Sequence, residues 1–131
     1  MTEESAVLVI EGDQHNADLL KHILGREGYR VIVAEDGQTA QNKINWLPHP
    51  PRLVLMDPML PLVDGYQLLR QIRSNSLWND TKVIVLSAKT QEQDIIRAFE
   101  LGASDYVTKP FHLGELLARI ASQLKTSQCH G

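Results

Sequence analysis

Four short motifs carry side chains that could do phosphate chemistry. They are Glu11-Gly12-Asp13, Asp57-Pro58, Ser87-Ala88 and Thr108-Lys109-Pro110. Together they supply carboxylates, a hydroxyl and an ammonium. Neighbouring carboxylates suit a hard divalent cation such as Mg²⁺, which prefers oxygen ligands and keeps several waters. A carboxylate such as Asp57 can also attack phosphorus to give an acyl phosphate, while Lys109 and the Ser87 hydroxyl hold the remaining oxygens.

The elements that must position these motifs follow from the hydrophobic pattern. Five apolar runs rich in Val, Ile and Leu are interpreted as strands buried on both faces: Ala6–Ile10, Arg30–Ala34, Leu53–Met56, 83–86 and 106–107. Stretches with helical spacing lie between and after them. The alternation predicts an α/β fold, with a doubly wound parallel sheet, right-handed crossovers and helices on both faces. In such a sheet the functional crevice lies beyond the carboxyl ends of the strands, where the four motifs fall.

Length and composition predict a single soluble domain. The chain has 131 residues, 43% of them hydrophobic and 22% charged, with a formal net charge of -3 and a pI near 5.9. No basic stripe favours nucleic acid, and no apolar run is long enough for a membrane span. The single cysteine, Cys129, and the acidic N-terminus without a signal peptide favour a cytoplasmic protein. The expected core covers about residues 5–125, and 126–131 are expected to form a flexible tail.

The motifs resemble the receiver domains of bacterial two-component response regulators. The resemblance covers nearly the whole chain and rests on four blocks in the right order: Val7-Leu8-Val9-Ile10-Glu11; Asp57-Pro58-Met59-Leu60-Pro61 with Asp64-Gly65; Leu86-Ser87-Ala88; and Gly102 to Phe111 with Tyr106, Lys109 and Pro110. It implies a flavodoxin-like sheet with five strands in the order 2-1-3-4-5.

The resemblance also implies roles for individual residues. Asp57 would be the phosphoacceptor, with Ser87, Lys109 and the backbone of Met59 and Ala88 contacting the phosphoryl group. Glu11, Asp57 and the Met59 carbonyl would bind Mg²⁺. Ser87 and Tyr106 would form a switch that reports phosphorylation to the surface of the fourth helix, fifth strand and fifth helix. The Lys109–Pro110 peptide bond would be cis. The protein would not be an enzyme beyond self-catalysed phosphorylation and dephosphorylation.

One position departs from the family pattern. Receivers usually carry two adjacent acids after the first strand, but here the second is Gly12. Losing a carboxylate should weaken Mg²⁺ binding, because affinity depends on ligand number and charge. Asp13 and the longer Glu11 side chain are the two candidates to compensate, although an aspartate before a helical pattern, such as Asp13, is also a good N-cap. Pro58 costs little if the donor to the phosphoryl group is the N–H of Met59.

Several residues have simpler interpretations. Ser87 could merely end a strand and Tyr106 could be strand core. The histidines lack metal-ligand spacing and are expected at the surface, and packing is expected for both tryptophans; these residues are His15, His22, His49, His112, His130, Trp46 and Trp78. No histidine is therefore assigned to a phosphorelay.

The sequence suggests three alternative functions. In the first, a histidine kinase or phosphotransfer protein phosphorylates Asp57 and so changes the binding of a downstream protein, with a homodimer as a further candidate state. In the second, Gly12 marks a degenerate receiver that binds proteins without phosphorylation. The third, a flavodoxin-like nucleotide-binding protein, is disfavoured because Glu11-Gly12-Asp13 puts negative charge where a phosphate would sit. The sequence leaves open whether the chain acts alone or belongs to something longer.

Overall fold

Five strands alternate with five helices in the computed structural model, which describes residues 6–128. The strands are β1 Ala6–Ile10, β2 Arg30–Ala34, β3 Leu53–Met56, β4 Lys82–Ser87 and β5 Asp105–Thr108. The helices are α1 Gln14–Arg26, α2 Gly37–Trp46, α3 Gly65–Ser74, α4 Glu92–Glu100 and α5 Leu113–Gln128, with a short 3₁₀ helix at Ser76–Trp78. The helix α5 therefore extends three residues into the predicted tail. Residues 129–131, including Cys129 and His130, lie outside the described range.

The sheet has the predicted topology. All four strand pairs are parallel, and the order is β2-β1-β3-β4-β5. The doubly wound α/β prediction is thereby confirmed. Because β1 and β3 are neighbours at the centre, the residues that follow them lie side by side at one edge of the sheet.

Two apolar layers cover the faces of the sheet. Side chains alternate along a strand, so Leu8 and Ile10 of β1 enter one layer while Val7 and Val9 enter the other. The first layer contains apolar residues of α2, α3 and α4, and the second contains those of α1 and α5. Full burial of side chains of this size contributes about 1.5–3 kcal/mol each.

The edge strands correct one prediction. Strand β2 is only partly buried over most of its length, and in β5 only Val107 is fully buried. Both strands lie at the ends of the strand order, where each has one neighbour instead of two. The prediction of strands buried on both faces is right for β1, β3 and nearly all of β4 and wrong for these two edges.

Aspartate side chains fix the start of three helices. Asp13, Asp36 and Asp64 each accept a backbone N–H at the beginning of α1, α2 and α3. Helix α4 begins after Gln91, which makes no side-chain capping bond, and only Ala98 of its residues is buried. Helix α4 is therefore held less firmly than its neighbours.

Packing is confirmed for one tryptophan and wrong for the other. Trp78 is 1% exposed, whereas Trp46, the last residue of α2, is 78% exposed. The four histidines within the described residues are exposed, as predicted. Among residues 6–128, no helix is both long enough and apolar enough to cross a membrane.

Candidate functional site

Two carboxylates stand next to each other at the carboxyl edge of the sheet. Glu11 follows β1 and Asp57 follows β3. The Asp57 N–H donates to the Ile10 carbonyl (2.9 Å), and the Glu11 N–H donates to the Ala34 carbonyl (3.1 Å), so strand pairing fixes both backbones. Glu11 is only 3% exposed. A buried carboxylate requires a partner, because an unpaired charge at this depth is costly.

Lys109 supplies that partner. Its Nζ donates to Glu11 Oε1 at 2.8 Å and to Asp57 Oδ2 at 2.5 Å. The side chain reaches across the pocket from the segment after β5, and the Lys109–Pro110 peptide bond is cis, as the family resemblance implied. The geometry thus brings together three of the residues that the sequence singled out, from three different strand ends.

The carboxylates keep the lysine charged. Burial alone would lower the pKa of Lys109, but the hydrogen bonds and negative charges of Asp57 and Glu11 outweigh burial and raise that pKa above its ordinary value. The ammonium is consequently present throughout the neutral pH range. A fixed positive charge beside a nucleophilic carboxylate is suited to stabilising phosphoryl oxygens.

The loop after Asp57 is tied to the same carboxylate. The Met59 N–H donates to Asp57 Oδ1 at 2.8 Å, so the absence of an N–H at Pro58 removes nothing that the site uses. Met59 also pairs with Asp64 in an isolated antiparallel bridge, and the Gly65 N–H donates to the Pro58 carbonyl at 3.1 Å. The loop is thereby closed on itself between Asp57 and the start of α3.

Close packing and strain both occur in this loop. A Cβ at Gly65 would lie 2.3 Å from the Pro58 Cα, so only glycine fits here. Leu62, at the tip of the loop, has a φ of 70° and a fully exposed side chain. That conformation is rare for a residue with a Cβ and costs about 1 kcal/mol or more.

Ser87 and Tyr106 both contact the backbone of Lys89. Ser87 is fully buried at the end of β4, and its Oγ accepts the Lys89 N–H at 3.1 Å. The Tyr106 hydroxyl donates to the Lys89 carbonyl at 2.9 Å. Ala88 lies between Ser87 and Lys89 in the sequence and is exposed. Sequence reasoning paired Ser87 with Tyr106 but missed Lys89, since a backbone contact leaves no signal in residue type.

The oxygens available to a metal ion are few. Both oxygens of Glu11 already accept hydrogen bonds, from Lys109 and from the Asp13 N–H (3.1 Å), and both oxygens of Asp57 are bonded to Lys109 and Met59. Within residues 6–128 no group of three or more His, Cys, Asp or Glu side chains could hold a metal ion. The donors are hard oxygens and so have the right chemistry for Mg²⁺, but most of its coordination would have to come from water.

The capping interpretation of Asp13 is confirmed. Asp13 Oδ1 accepts the N–H groups of His15 (2.9 Å) and Asn16 (3.3 Å) at the start of α1. One of its oxygens is thus already engaged in holding the helix, which makes Asp13 a poor replacement for the missing acid.

Gly12 is not required by the fold. A Cβ placed there would meet the Glu35 carbonyl, Leu60 and Pro61 at 3.6, 3.7 and 3.9 Å, which are ordinary contacts. The backbone therefore has room for a side chain at the position where receivers usually carry their second acid.

Comparison with known proteins gives one consistent family. Residues 7–121 match the response regulator receiver domain. The response regulator GtcR of Aneurinibacillus migulanus is 41% identical over 121 residues, 91% of this chain and 47% of that protein. The phosphate regulon transcriptional regulatory protein PhoB of Escherichia coli K12 is 36% identical over 91% of this chain and 51% of its own length. The chain thus spans about half the length of these curated relatives.

A solved structure gives the same result. The receiver domain of the Francisella response regulator 1452 superposes with a TM-score of 0.84 at 32% identity, covering 95% of this chain and 99% of that one. The likeness therefore extends over nearly the whole chain.

Proposed function

Because this chain belongs to the response regulator receiver domains of two-component systems, we propose that it is a phosphorylation switch with Asp57 as its acceptor. The observation that carries the proposal is the Lys109 ammonium, which bonds to the carboxylates of both Glu11 and Asp57. An aspartate in this setting has a fixed cation and a backbone N–H within hydrogen-bond distance, as a phosphoryl acceptor requires.

The chain's own groups can carry the transfer. A carboxylate oxygen of Asp57 attacks the phosphorus of a phosphohistidine or small acyl phosphate, forming a P–O bond as the bond to the leaving group breaks. Lys109, the Ser87 hydroxyl and the N–H groups of Met59 and Ala88 hold the phosphoryl oxygens. The leaving group departs with the bonding electron pair: the imidazole released from a phosphohistidine takes up a proton from water, whereas the carboxylate released from an acyl phosphate stays ionised.

Magnesium would bind beside Asp57 in this mechanism, but weakly. Glu11, Asp57 and the Met59 carbonyl would hold the ion, which neutralises charge on the incoming phosphoryl group when bound. With Gly12 in place of an acid and Asp13 engaged in the helix cap, Mg²⁺ would have only two side-chain ligands. We expect phosphorylation to require a higher Mg²⁺ concentration than in receivers with both acids.

Ser87 and Tyr106 would pass the signal to the surface. The Ser87 hydroxyl and the Tyr106 hydroxyl bind opposite ends of the Lys89 backbone, so a shift of Ser87 towards a phosphoryl group would disturb the contact of Tyr106. Helix α4 exposes the apolar side chains of Ile96 and Phe99. The face of α4, β5 and α5 is therefore the surface where a downstream protein, or a second copy of the chain, would bind.

The partner upstream would be a histidine kinase or a phosphotransfer protein. As a member of this family, the chain has a regulatory role. We propose that, in any longer protein that contains the chain, phosphorylation of Asp57 would control the output of that protein. Residues 1–131 would act as one receiver unit.

Intact-mass spectrometry tests the acceptor directly. We expect one phosphoryl adduct after incubation with acetyl phosphate and Mg²⁺, and none in the Asp57→Asn variant. Asp80→Asn is the matched control, because Asp80 is an exposed aspartate in the loop before β4, at the opposite edge of the sheet.

The alternative is a receiver that binds its partner without phosphorylation. Gly12 and the hydrogen bonds that each oxygen of Glu11 and Asp57 already accepts favour it. A folded wild-type protein that gives no adduct at any Mg²⁺ concentration would exclude the phosphorylation switch and leave this second function.

A further inference from the structure

Strand β2 forms an edge of the sheet with little to protect it from further pairing. It stands at one end of the order β2-β1-β3-β4-β5, and among residues 6–128 the strand that pairs with it is β1. Between Arg30 and Ala34 it holds three β-branched residues and no charge, proline or glycine. Proteins usually protect such an edge with charges, prolines or bulges, because it is a template for another strand. The sequence of β2 is therefore suited to pairing with a further strand.

The backbone groups on the outer side of β2 belong to Val31 and Val33. Successive residues of a strand direct their N–H and C=O groups to alternate sides. The Ala34 carbonyl accepts the Glu11 N–H beside β1, so residues 30, 32 and 34 face β1. Val31 and Val33 consequently direct their N–H and C=O groups away from the sheet, where none of the described strands pairs with them. These groups are available to another chain.

The opposite edge of the sheet is better protected. Strand β5 begins with Asp105, whose carboxylate binds the Arg119 guanidinium of α5 at 3.1 Å. A charged and engaged side chain at an edge disfavours pairing with another strand. Strand addition is thus favoured at β2 over β5.

Charges of opposite sign flank β2. Arg30 at its start is exposed, and so are the consecutive acids Glu35 and Asp36 that follow its end. Within residues 6–128 none of these three side chains forms an ion pair. Two copies in antiparallel order would place each Arg30 near the acids of the other copy, whereas parallel order would place Arg30 against Arg30. The charges therefore select an antiparallel second copy of this chain as the partner.

The register follows from the outward-facing groups. Pairing about a two-fold axis at Ile32 sets Val31 of one copy opposite Val33 of the other, and Arg30 opposite Ala34. Because both valines face outward, each Val31–Val33 pair can exchange both of its N–H···O bonds. The same surface is used by both copies, so the interface closes at a dimer.

Apolar surface continues beside this edge. Arg30 and Ile32 line a cavity of about 260 Å³ together with Leu47, the residue that follows α2. The neighbouring Trp46 is 78% exposed. A large exposed aromatic side chain beside an unprotected edge gives a second copy apolar area to bury in addition to the strand.

We propose that the chain self-associates through β2, as an antiparallel two-fold dimer in which the two sheets join into one. This interface lies at the opposite edge of the sheet from β5 and goes beyond the proposed phosphorylation switch. The unphosphorylated protein already presents the groups that the interface uses, so self-association requires neither phosphorylation nor Mg²⁺.

Sedimentation velocity of the unphosphorylated protein tests the self-association. We expect the sedimentation coefficient to rise towards that of a dimer at concentrations up to about 0.5 mM. Arg30→Glu places a negative charge near the acids of the other copy at both ends of the interface, so its dimer dissociation constant should be at least about tenfold higher. A wild type that stays monomeric, or an Arg30→Glu variant that dimerises equally well, would overturn the inference.

Arg30→Lys and Arg70→Glu are the matched controls. The first keeps the positive charge at the start of β2, and the second makes the same charge reversal at an exposed arginine of α3, outside the β2 edge. Both should dimerise like the wild type, and circular dichroism checks that each variant is folded. If Arg70→Glu dissociated as readily as Arg30→Glu, net charge would explain both results and the inference would fail.

Amide hydrogen exchange, followed residue by residue with NMR, locates the interface. Exchange at Val31 and Val33 should be slower in concentrated than in dilute protein, because their N–H groups become bonded in the dimer. The amides of β5 serve as the reference and should exchange equally at both concentrations. Slower exchange in β5 with none in β2 would mean association through the other edge and would contradict the inference. Since these experiments use no phosphodonor, a wild type without a phosphoryl adduct would overturn the proposed function and leave this inference standing.

Discussion

Lys109 is the residue on which the site depends most. Its ammonium bonds to both carboxylates, so replacing it would leave Glu11 buried at 3% exposure with an unbalanced charge. Loss of one member of such a pair is more disruptive than the absence of the pair. The same residue that binds phosphoryl oxygens in our proposal therefore also stabilises the unphosphorylated protein.

Restoring an acid at position 12 should strengthen Mg²⁺ binding. The contacts of 3.6–3.9 Å around a Cβ at Gly12 show that a side chain is accepted. A third carboxylate near the ion should lower the Mg²⁺ dissociation constant of Gly12→Asp by about tenfold, because each nearby charge contributes on the order of 1 kcal/mol or more. Titration of acetyl phosphate labelling against Mg²⁺ concentration measures this change.

Gly12→Asn is the control for that variant. It has the same shape but no charge, so its Mg²⁺ dependence should stay near that of the wild type. Equal Mg²⁺ dependence in Gly12→Asp and Gly12→Asn would contradict the idea that a missing charge weakens the site.

Tyr66 should ionise only at strongly alkaline pH. Burial, helped by Tyr106 and Asp94 and opposed by Arg97, raises its pKa to about 12, while an unfolded tyrosine ionises near pH 10. The neutral form of Tyr66 thus makes its full contribution to folding stability below pH 10, and this contribution is lost as the pH rises towards 12. Absorbance titration at 295 nm should contain one step near pH 12 that Tyr66→Phe lacks. A wild type without this step would contradict the burial of the hydroxyl.

Residue types were more informative about the acceptor than about its surroundings. Asp57, Glu11 and Lys109 could be predicted because acids and a lysine stand where apolar runs end. The contacts of Lys89 and the pairing of Met59 with Asp64 could not, since they involve backbone atoms. Trp46 was assigned to packing although it is 78% exposed, because an aromatic residue at the end of a helix is compatible with either environment.

At the scale of elements, the loop from Asp57 to α3 and the helix α1 contain glycines of opposite character. A Cβ at Gly65 would overlap Pro58, whereas a Cβ at Gly25, within α1, would meet nothing within 4 Å. Gly65 is thus required by close packing, whereas Gly25 could be replaced by a residue that makes α1 more stable.

Two alanine substitutions should therefore act in opposite directions. Gly65→Ala should destabilise the protein by about 1–3 kcal/mol through overpacking and displace the loop that carries Met59. Gly25→Ala should stabilise it by about 0.5–1 kcal/mol, because alanine is the better helix former. Urea unfolding monitored by circular dichroism compares them. Equal stability of the two variants would contradict the packing described for Gly65.

Element boundaries were harder to predict than element types. The pattern placed β4 at 83–86 and β5 at 106–107, but they extend over Lys82–Ser87 and Asp105–Thr108. Polar residues at strand ends join the hydrogen-bond ladder without changing the apolar run. The 3₁₀ helix at Ser76–Trp78 was missed because three residues are too few for a periodic signal.

At the scale of the molecule, both helical layers share one sheet, so they should unfold together. Trp78 lies in the core and Trp46 at the surface. Trp46→Phe should change stability by no more than about 0.5 kcal/mol and leave Trp78 as the sole fluorescent reporter of the core. Its fluorescence and circular dichroism should then give the same urea midpoint. Two distinct midpoints would contradict a single cooperative unit.

The global topology was the most predictable level. Five alternations of strand and helix, together with the family blocks, predict the strand order 2-1-3-4-5 that is observed. The looseness of α4 could not be predicted, because its apolar spacing matches that of the other helices. Only three-dimensional contact reveals that a single residue, Ala98, is buried.

The absence of an acid at position 12 also affects how anions approach the pocket. Glu11, Asp57 and Lys109 carry two negative charges and one positive charge, so the trio has a net charge of minus one. An acid at position 12 would change this net charge to minus two and repel an anionic phosphodonor more strongly during diffusion. Encounter rates with small anionic donors should consequently respond less to ionic strength in this chain than in receivers that keep both acids.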